Sequence, residues 1–246
     1  MLLDRSTSLS AGPIRFSLYC TPLSTTLPPR EYAVLPQFCR ELFTLLLPTE
    51  CPVCGRSLRW GESTLCDGCL SVAFATQPES RFDLHGLKRI ESACEWNSES
   101  RSLVRGFKYC YRPLFVSRLL PLVEDSLKLT SERIDLILPV PLHRVRQRTR
   151  GYNQAELLGR LLAQILQVPL ITDNLIRIRN TCTQTRLQEA QRRRNVSGAF
   201  GVLDPGALQD RSLLIVDDVV TTGATLEEIA AILPTEQIRA WTLVRR

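Results

Sequence analysis

The segment Ser212-Leu-Leu-Ile-Val-Asp217-Asp218-Val-Val-Thr221-Thr222-Gly223-Ala-Thr225 constrains the fold of this 246-residue chain more than any other stretch. Residues 213–216 are an apolar, partly β-branched run of the kind that fills a strand buried on both faces. Two carboxylates close the run, a Gly-bearing turn follows, and then comes an amphipathic helix with Leu226, Ile229, Ala230 and Leu233 on one face. Strand, turn and helix in that order predict a βα unit of an open α/β sheet, where ligands sit beyond the carboxyl ends of the strands. The first N–H groups of a helix lack intrahelical partners, so the turn offers donors to an anion. Thr221, Thr222 and Thr225 add hydroxyls, and Gly223 lets the backbone approach closely. Val219, Val220, Thr221, Thr222, Gly223, Ala224 and Thr225 are therefore candidate phosphate-binding residues. Asp217 and Asp218 suit the neighbouring hydroxyls of a sugar phosphate, with a tandem-Asp Mg²⁺ site or a solvated acidic pair beside a Thr N-cap as alternatives. A P-loop does not fit, because no Lys follows Gly223.

Four of the nine cysteines form a second pattern. Cys51, Cys54, Cys66 and Cys69 are spaced C-x₂-C-x₁₁-C-x₂-C, so two knuckles of two thiolates each complete a tetrahedral Zn²⁺ shell. All-sulfur ligation favours Zn²⁺ over harder cations, with an iron centre as the alternative, and a closed four-thiolate shell is structural. Gly55 and Gly68 stand where the knuckles call for relaxed backbone. A thioredoxin-like redox pair would need one C-x-x-C in a βαβ setting rather than two in tandem. Cys20, Cys39, Cys94, Cys110 and Cys182 lack partners at ligand spacing.

The net charge of +6 is concentrated between residues 140 and 196, where eleven Arg face only Glu156, Asp173 and Glu189. A solvated basic face is the plain reading of such a region, and a polyanionic ligand, a diphosphate, a nucleic acid or both, is the sharper one. Ahead of it, residues 134–138 predict another buried strand, ending in Pro139, Val140, Pro141, Leu142, His143 and Arg144. Arg144, Arg146, Arg148 and Arg150 alternate, and in an extended loop two of them face inward to clamp a diphosphate. His143 is expected to orient a group or to be exposed, with catalysis the lesser reading. Asn153 is placed to cap a helix whose buried stripe is Leu157, Leu158, Leu161, Leu162 and Ile165. Residues 177–200, with Gln184, Arg192, Arg193 and Arg194, carry little apolar content and read as a lid loop over a charged ligand, with a simple solvated connector as the alternative.

Elsewhere the pattern gives a helix at 36–47, a strand within 85–96, helices at 102–107 and 114–129, one or two strands at 168–178 and a last strand at 238–244. Lys108 and Tyr109 lie within reach of the ligand site, although a solvent-exposed Lys is the plainer expectation. No apolar run reaches the ~18 residues of a membrane span, and the expected setting is cytoplasmic, without membrane insertion. Residues 1–40 read as a loose extension, 41–80 as a zinc ribbon and 81–246 as the α/β domain.

Taken together, Cys-Pro-Val-Cys-Gly, Pro-Val-Pro-Leu-His-Arg, Arg-Gly-Tyr-Asn-Gln-Ala-Glu, Arg-Arg-Arg-Asn-Val-Ser-Gly-Ala-Phe and Val-Asp-Asp-Val-Val-Thr-Thr-Gly-Ala-Thr resemble the ComF family of competence-associated, phosphoribosyltransferase-like proteins. The match runs from about residue 42 onward. It departs where the family often has Phe at Tyr152 and Gly near Cys110 and Tyr111. The resemblance implies a type I phosphoribosyltransferase-like fold, a mainly parallel sheet flanked by helices, with an N-terminal Cys₄ zinc ribbon. It also implies phosphoribosyl pyrophosphate (PRPP) with Mg²⁺ as ligand. Asp217 and Asp218 would lie at the ribose, residues 219–225 at the 5′-phosphate, and Pro139, Val140, Pro141, His143, Arg144, Gln184, Arg192 and Arg193 at the diphosphate or in the lid. Family members are linked to DNA uptake in natural transformation. A glycosyltransferase acting on PRPP, a single-stranded-DNA adaptor for a helicase partner and a non-catalytic PRPP sensor all stand open.

Overall fold

A computed structural model of the chain describes residues 50–59, 62, 65–75, 84–109, 119–121, 123–124, 126–127, 133–180 and 189–246, all within one compact unit, Pro36–Arg246. The extension at 1–40, the helix at 36–47, Gln184, and Cys20, Cys39, Cys110 and Cys182 lie outside the described residues.

The elements run α1 (Asp67–Phe74), β1 (Arg89–Glu95), α2 (Ser98–Tyr109), β2 (Leu136–Pro139), α3 (Arg144–Arg150) and α4 (Gln154–Leu166). They continue with β3 (Leu175–Arg177), α5 (Glu189–Val196), β4 (Phe200–Val202), β5 (Leu213–Val220), α6 (Ala224–Ala230) and β6 (Ile238–Arg245). Four strands pair parallel in the order β1-β6-β5-β2, and β3 pairs antiparallel with β4 in a separate two-stranded sheet.

Alternation along β5 explains the two-sided core. Leu214 and Val216 point into a cluster with Ile137, Leu158, Leu162, Trp241 and Leu243. Leu213 and Ile215 point the other way, against Leu138, Leu226, Ile229 and Ala240. The strand can therefore be apolar without interruption, as parallel sheets covered on both faces require. Burying each such side chain contributes about 1.5–3 kcal/mol, so the apolar run fixes the central position of β5. Past that run β5 extends to Val220, so Asp217 and Asp218 belong to the strand rather than to the turn after it.

Two segments differ from their expected form. Residues 144–150 are helical, not extended. The His143 Nδ1 accepts from the Val145 N–H at 3.3 Å, and Gly151 closes the helix at φ +83°. Arg is a good helix former, and a cap at each end lets this short run wind up. Residues 189–196 also form a helix. It is held by buried Val196 and Ala199 beneath it, by Arg193 pairing with Glu227, and by the Gly198 N–H donating to Glu228 at 2.5 Å. The lid expected over 177–200 is thus anchored to α6 at its C-terminal half.

Candidate functional site

The carboxyl ends of all four parallel strands open into one cavity of about 300 Å³, at the small end of the range typical of small-molecule sites. Trp96 follows β1, Val140, Pro141 and Leu142 follow β2, residues 217–225 come from β5 and its turn, and Arg246 follows β6. Lys108, Arg146, Arg150 and Arg177 complete a strongly cationic wall facing the two carboxylates.

Thr221, Thr222, Gly223, Ala224 and Thr225 form the floor. Gly223 has φ +75°, and a Cβ there would fall 2.1 Å from the Leu84 side chain, so both conformation and packing demand glycine. The Thr222 hydroxyl accepts weakly from the Ala224 N–H at 3.5 Å.

Asp217 and Asp218 occupy adjacent positions of β5, and the Asp218 N–H donates to Asp217 Oδ1 at 2.8 Å. Burial raises the Asp217 pKa from the ordinary 3.8 to about 7, and the neighbouring Asp218 charge pushes the same way. Lys108 and Arg177 pull against that rise without cancelling it. Asp217 therefore exchanges a proton near neutral pH, the range useful for general acid–base chemistry. Lys108 Nζ lies 3.1 Å from Asp218 Oδ2. The Arg177 guanidinium sits over the Phe200 ring at 5.1 Å, and burial, followed by the nearby Arg146, lowers its pKa.

Of the expected diphosphate residues, Val140 and Pro141 line the cavity, whereas Pro139 is the buried last residue of β2. His143 caps α3, and Arg144 is exposed outside the cavity. The reason is the helix. At helical spacing Arg146 and Arg150 share the face turned to the cavity, and Arg144 and Arg148 are left in solvent. Arg193 engages Glu227, and the Arg192 side chain lies outside the described residues.

Lys108, read from sequence as within reach of the ligand, and Arg177, read as the start of the lid, complete the site with Trp96 and Arg246, which the sequence did not single out. Lys108 carried a signal, as a cation in the last turn of an amphipathic helix that follows a strand. Trp96 and Arg246 are legible only once β1 and β6 are known to lie side by side. In the fold the Arg246 guanidinium stacks over the Trp96 ring at 5.0 Å.

Away from the cavity, the Sγ atoms of Cys51, Cys54, Cys66 and Cys69 lie within 4.8 Å of one another, and Cys54 and Cys66 Sγ are 3.6 Å apart. Sulfurs bound at ~2.3 Å to one tetrahedral ion stand roughly 3.8 Å apart, so these residues fit a four-thiolate metal shell. The first knuckle turns through Gly55 at φ +71°, with its N–H on the Cys51 carbonyl at 2.9 Å. The second is the start of α1 instead. Cys66 caps it, taking the Cys69 N–H at 3.4 Å, and Gly68 sits within the helix with no positive φ. Burial opposes ionisation of Cys51, but backbone donors of Cys54, Cys66 and Val53 bring its pKa down to about 6, and the Cys69 N–H lowers that of Cys66. Glu62 ties the two knuckles, taking Arg56 at 2.6 Å, the Arg59 N–H at 2.6 Å and the Asp67 N–H at 2.8 Å.

Over 115 residues the chain is 40% identical to Competence protein F of Haemophilus influenzae (strain ATCC 51907 / DSM 11121 / KW20 / Rd), covering 45% of this chain and half of that protein. Over 206 residues it is 34% identical to DNA utilization protein YhgH of Escherichia coli O157:H7, covering 79% of this chain and 89% of that one. The chain belongs to the ComF family. No protein-family model matches it. Among solved structures this ComF-family chain is similar to adenine phosphoribosyltransferase of Leishmania tarentolae. The two are 12% identical with a TM-score of 0.35, covering 59% and 74% of the two chains, a likeness too loose to argue from. The architecture is nonetheless the one expected, a mainly parallel sheet flanked by helices with a four-cysteine cluster at its N-terminal side. No helix among the described residues is long and apolar enough to cross a membrane.

Proposed function

We propose that this ComF-family chain binds PRPP with Mg²⁺ in the cavity and serves the handling of incoming DNA in competence, with Zn²⁺ as a structural ion in the cysteine shell. The observation that carries the PRPP reading is the placement of Asp217 and Asp218 on one strand end, between the Thr/Gly turn and a wall of Lys108, Arg146, Arg150 and Arg177. That order suits a ligand with a phosphate at one end, a ribose diol in the middle and a diphosphate at the other. The 5′-phosphate goes to residues 221–225, the diol donates to Asp217 and Asp218, and the guanidinium groups of Arg146 and Arg150 take the diphosphate. Mg²⁺ supplies charge neutralisation on the diphosphate. If a nucleophile displaces diphosphate at C1, the chain's own contribution is to position the ribose and to stabilise the leaving charge, and Asp217 is the group whose proton moves near neutral pH.

The names of its relatives, competence and DNA utilization proteins, support the second half of the reading. Exposed Arg144, Arg148 and Arg194 give it a backbone-directed surface for single-stranded DNA, delivered by or to a helicase partner.

The test is calorimetry of PRPP with Mg²⁺, followed by a screen of acceptors for diphosphate release. Tight binding with release marks a glycosyltransferase, and tight binding without release marks a PRPP sensor. No heat of binding from the intact, metal-loaded protein would overturn the PRPP assignment.

A further inference from the structure

Resting on that PRPP reading, we propose that Lys108 is the third cation of the diphosphate pocket and that Tyr152 and Gln154 are the residues that position it. Lys108 is in the last turn of α2, where the final carbonyls have no intrahelical partner. Two side chains, Tyr152 just ahead of α4 and Gln154 at its first position, supply partners for the carbonyl of Phe107. Tyr152 donates its hydroxyl at 2.6 Å and Gln154 its Nε2 at 3.4 Å. Gln154 Oε1 in turn accepts from Arg150 at 2.5 Å. A continuous hydrogen-bonded path thus joins the backbone next to Lys108 to Arg150, and Arg146 stands one helical turn before Arg150 on the cavity face. Lys108 thus lines the same cavity as Arg146 and Arg150, although its helix follows β1, at the opposite edge of the sheet from β2.

The Lys108 side chain is 28% exposed, and its ammonium rests on Asp218 Oδ2 at 3.1 Å. A compact charge on a flexible four-carbon stem can leave one carboxylate for a neighbouring anion, which a rigid guanidinium fork does less readily. Ribose hydroxyls that donate to Asp218 share this carboxylate with Lys108, and a diphosphate beside it offers the ammonium a denser charge. The plainer alternative is a partly exposed ion pair that only neutralises Asp218, and such pairs contribute little. The two differ in what they predict for ligands with and without the diphosphate.

The experiment measures affinities of PRPP and of ribose 5-phosphate, both with Mg²⁺, in wild type, Lys108→Gln, Lys108→Arg and Tyr152→Phe. The quantity read is the ratio of the two affinities. Lys108→Gln should lower it at least tenfold, because PRPP loses a contact that ribose 5-phosphate never had, and Lys108→Arg should restore only part of it. Tyr152→Phe, one hydroxyl removed, should lower the ratio about threefold by loosening the end of α2. Retained ribose 5-phosphate binding shows in each case that the variant is folded. If both ligands weaken equally in Lys108→Gln, so that the ratio stays within threefold of wild type, Lys108 serves only Asp218 and the inference is overturned. Wild type that binds neither ligand removes the PRPP reading itself, and this inference with it.

Discussion

Replacing Asp217 by Asn should make the protein more stable at pH 8 while weakening PRPP binding. The wild-type carboxylate rises from 3.8 to about 7 on folding, chiefly through burial and then through Asp218. A folded-state pKa above the unfolded value means that the folded protein holds the extra proton between pH ~4 and ~7. Stability from this group is full below pH ~4 and is lost as pH rises to ~7, where the charge is forced into the cavity. At about 1.4 kcal/mol per pH unit the loss is bounded at about 4 kcal/mol. Partial solvent access discounts this to roughly 1–2 kcal/mol. Asn has no charge to bury, and its Oδ1 can still take the Asp218 N–H. Chemical denaturation of both proteins at pH 4.5, 6 and 8 isolates the carboxylate pair, since titrations of groups away from Asp217 and Asp218 cancel in the difference. The Asn variant should gain about 1–2 kcal/mol at pH 8, and under about half of that at pH 4.5. A gain that does not change with pH, or a destabilised variant at pH 8, would refute the buried-charge account.

Asp217→Asn combined with Asp218→Asn should weaken PRPP by tenfold or more per site by calorimetry, since hydrogen bonds to charged groups are worth about 1.5–3 kcal/mol each. Gly223→Ala should cost about 2–5 kcal/mol in urea denaturation, from a left-handed backbone with a Cβ and from the contact with Leu84. Cys66→Ser should abolish stoichiometric zinc by elemental analysis, because three thiolates no longer close the shell. Arg144→Gln with Arg148→Gln should flatten the slope of log K against log salt for single-stranded DNA by up to about 1.4, leaving PRPP affinity unchanged.

The strand positions were legible because burial on both faces leaves 213–216 wholly apolar and 238–244 apolar but for Arg239 and Thr242. The cysteine cluster and the Asp–Asp–Thr–Thr–Gly turn were legible for a related reason, since each needs its residues close together in sequence. The Arg144–Arg150 run misled because alternation at period two and a helix at i, i+4 share the same arginines, and only the caps at His143 and Gly151 decide between them. Trp96 and Arg246 reach the cavity through the pairing of strands far apart in the chain, which no local pattern encodes. Asn153 was the easiest local reading, its Oδ1 taking the Ala155 N–H at 3.1 Å while its Nδ2 holds the Val140 carbonyl at 3.0 Å.

The cysteine knuckles do not hang from the α/β body as a separate bead. Cys51, Leu58, Leu65, Cys66 and Leu70 share one apolar cluster with Leu103 and Phe107 of α2, the helix whose next residue is Lys108. Whatever stiffens the knuckles also stiffens the end of that helix. If Zn²⁺ fills the shell and PRPP the cavity, as proposed, binding of the two would be linked through this cluster, and by reciprocity each would change the affinity for the other by the same factor. In a cell, the zinc supply would set how much of this protein is competent to take its second ligand, and a chelator would act on a site it never touches.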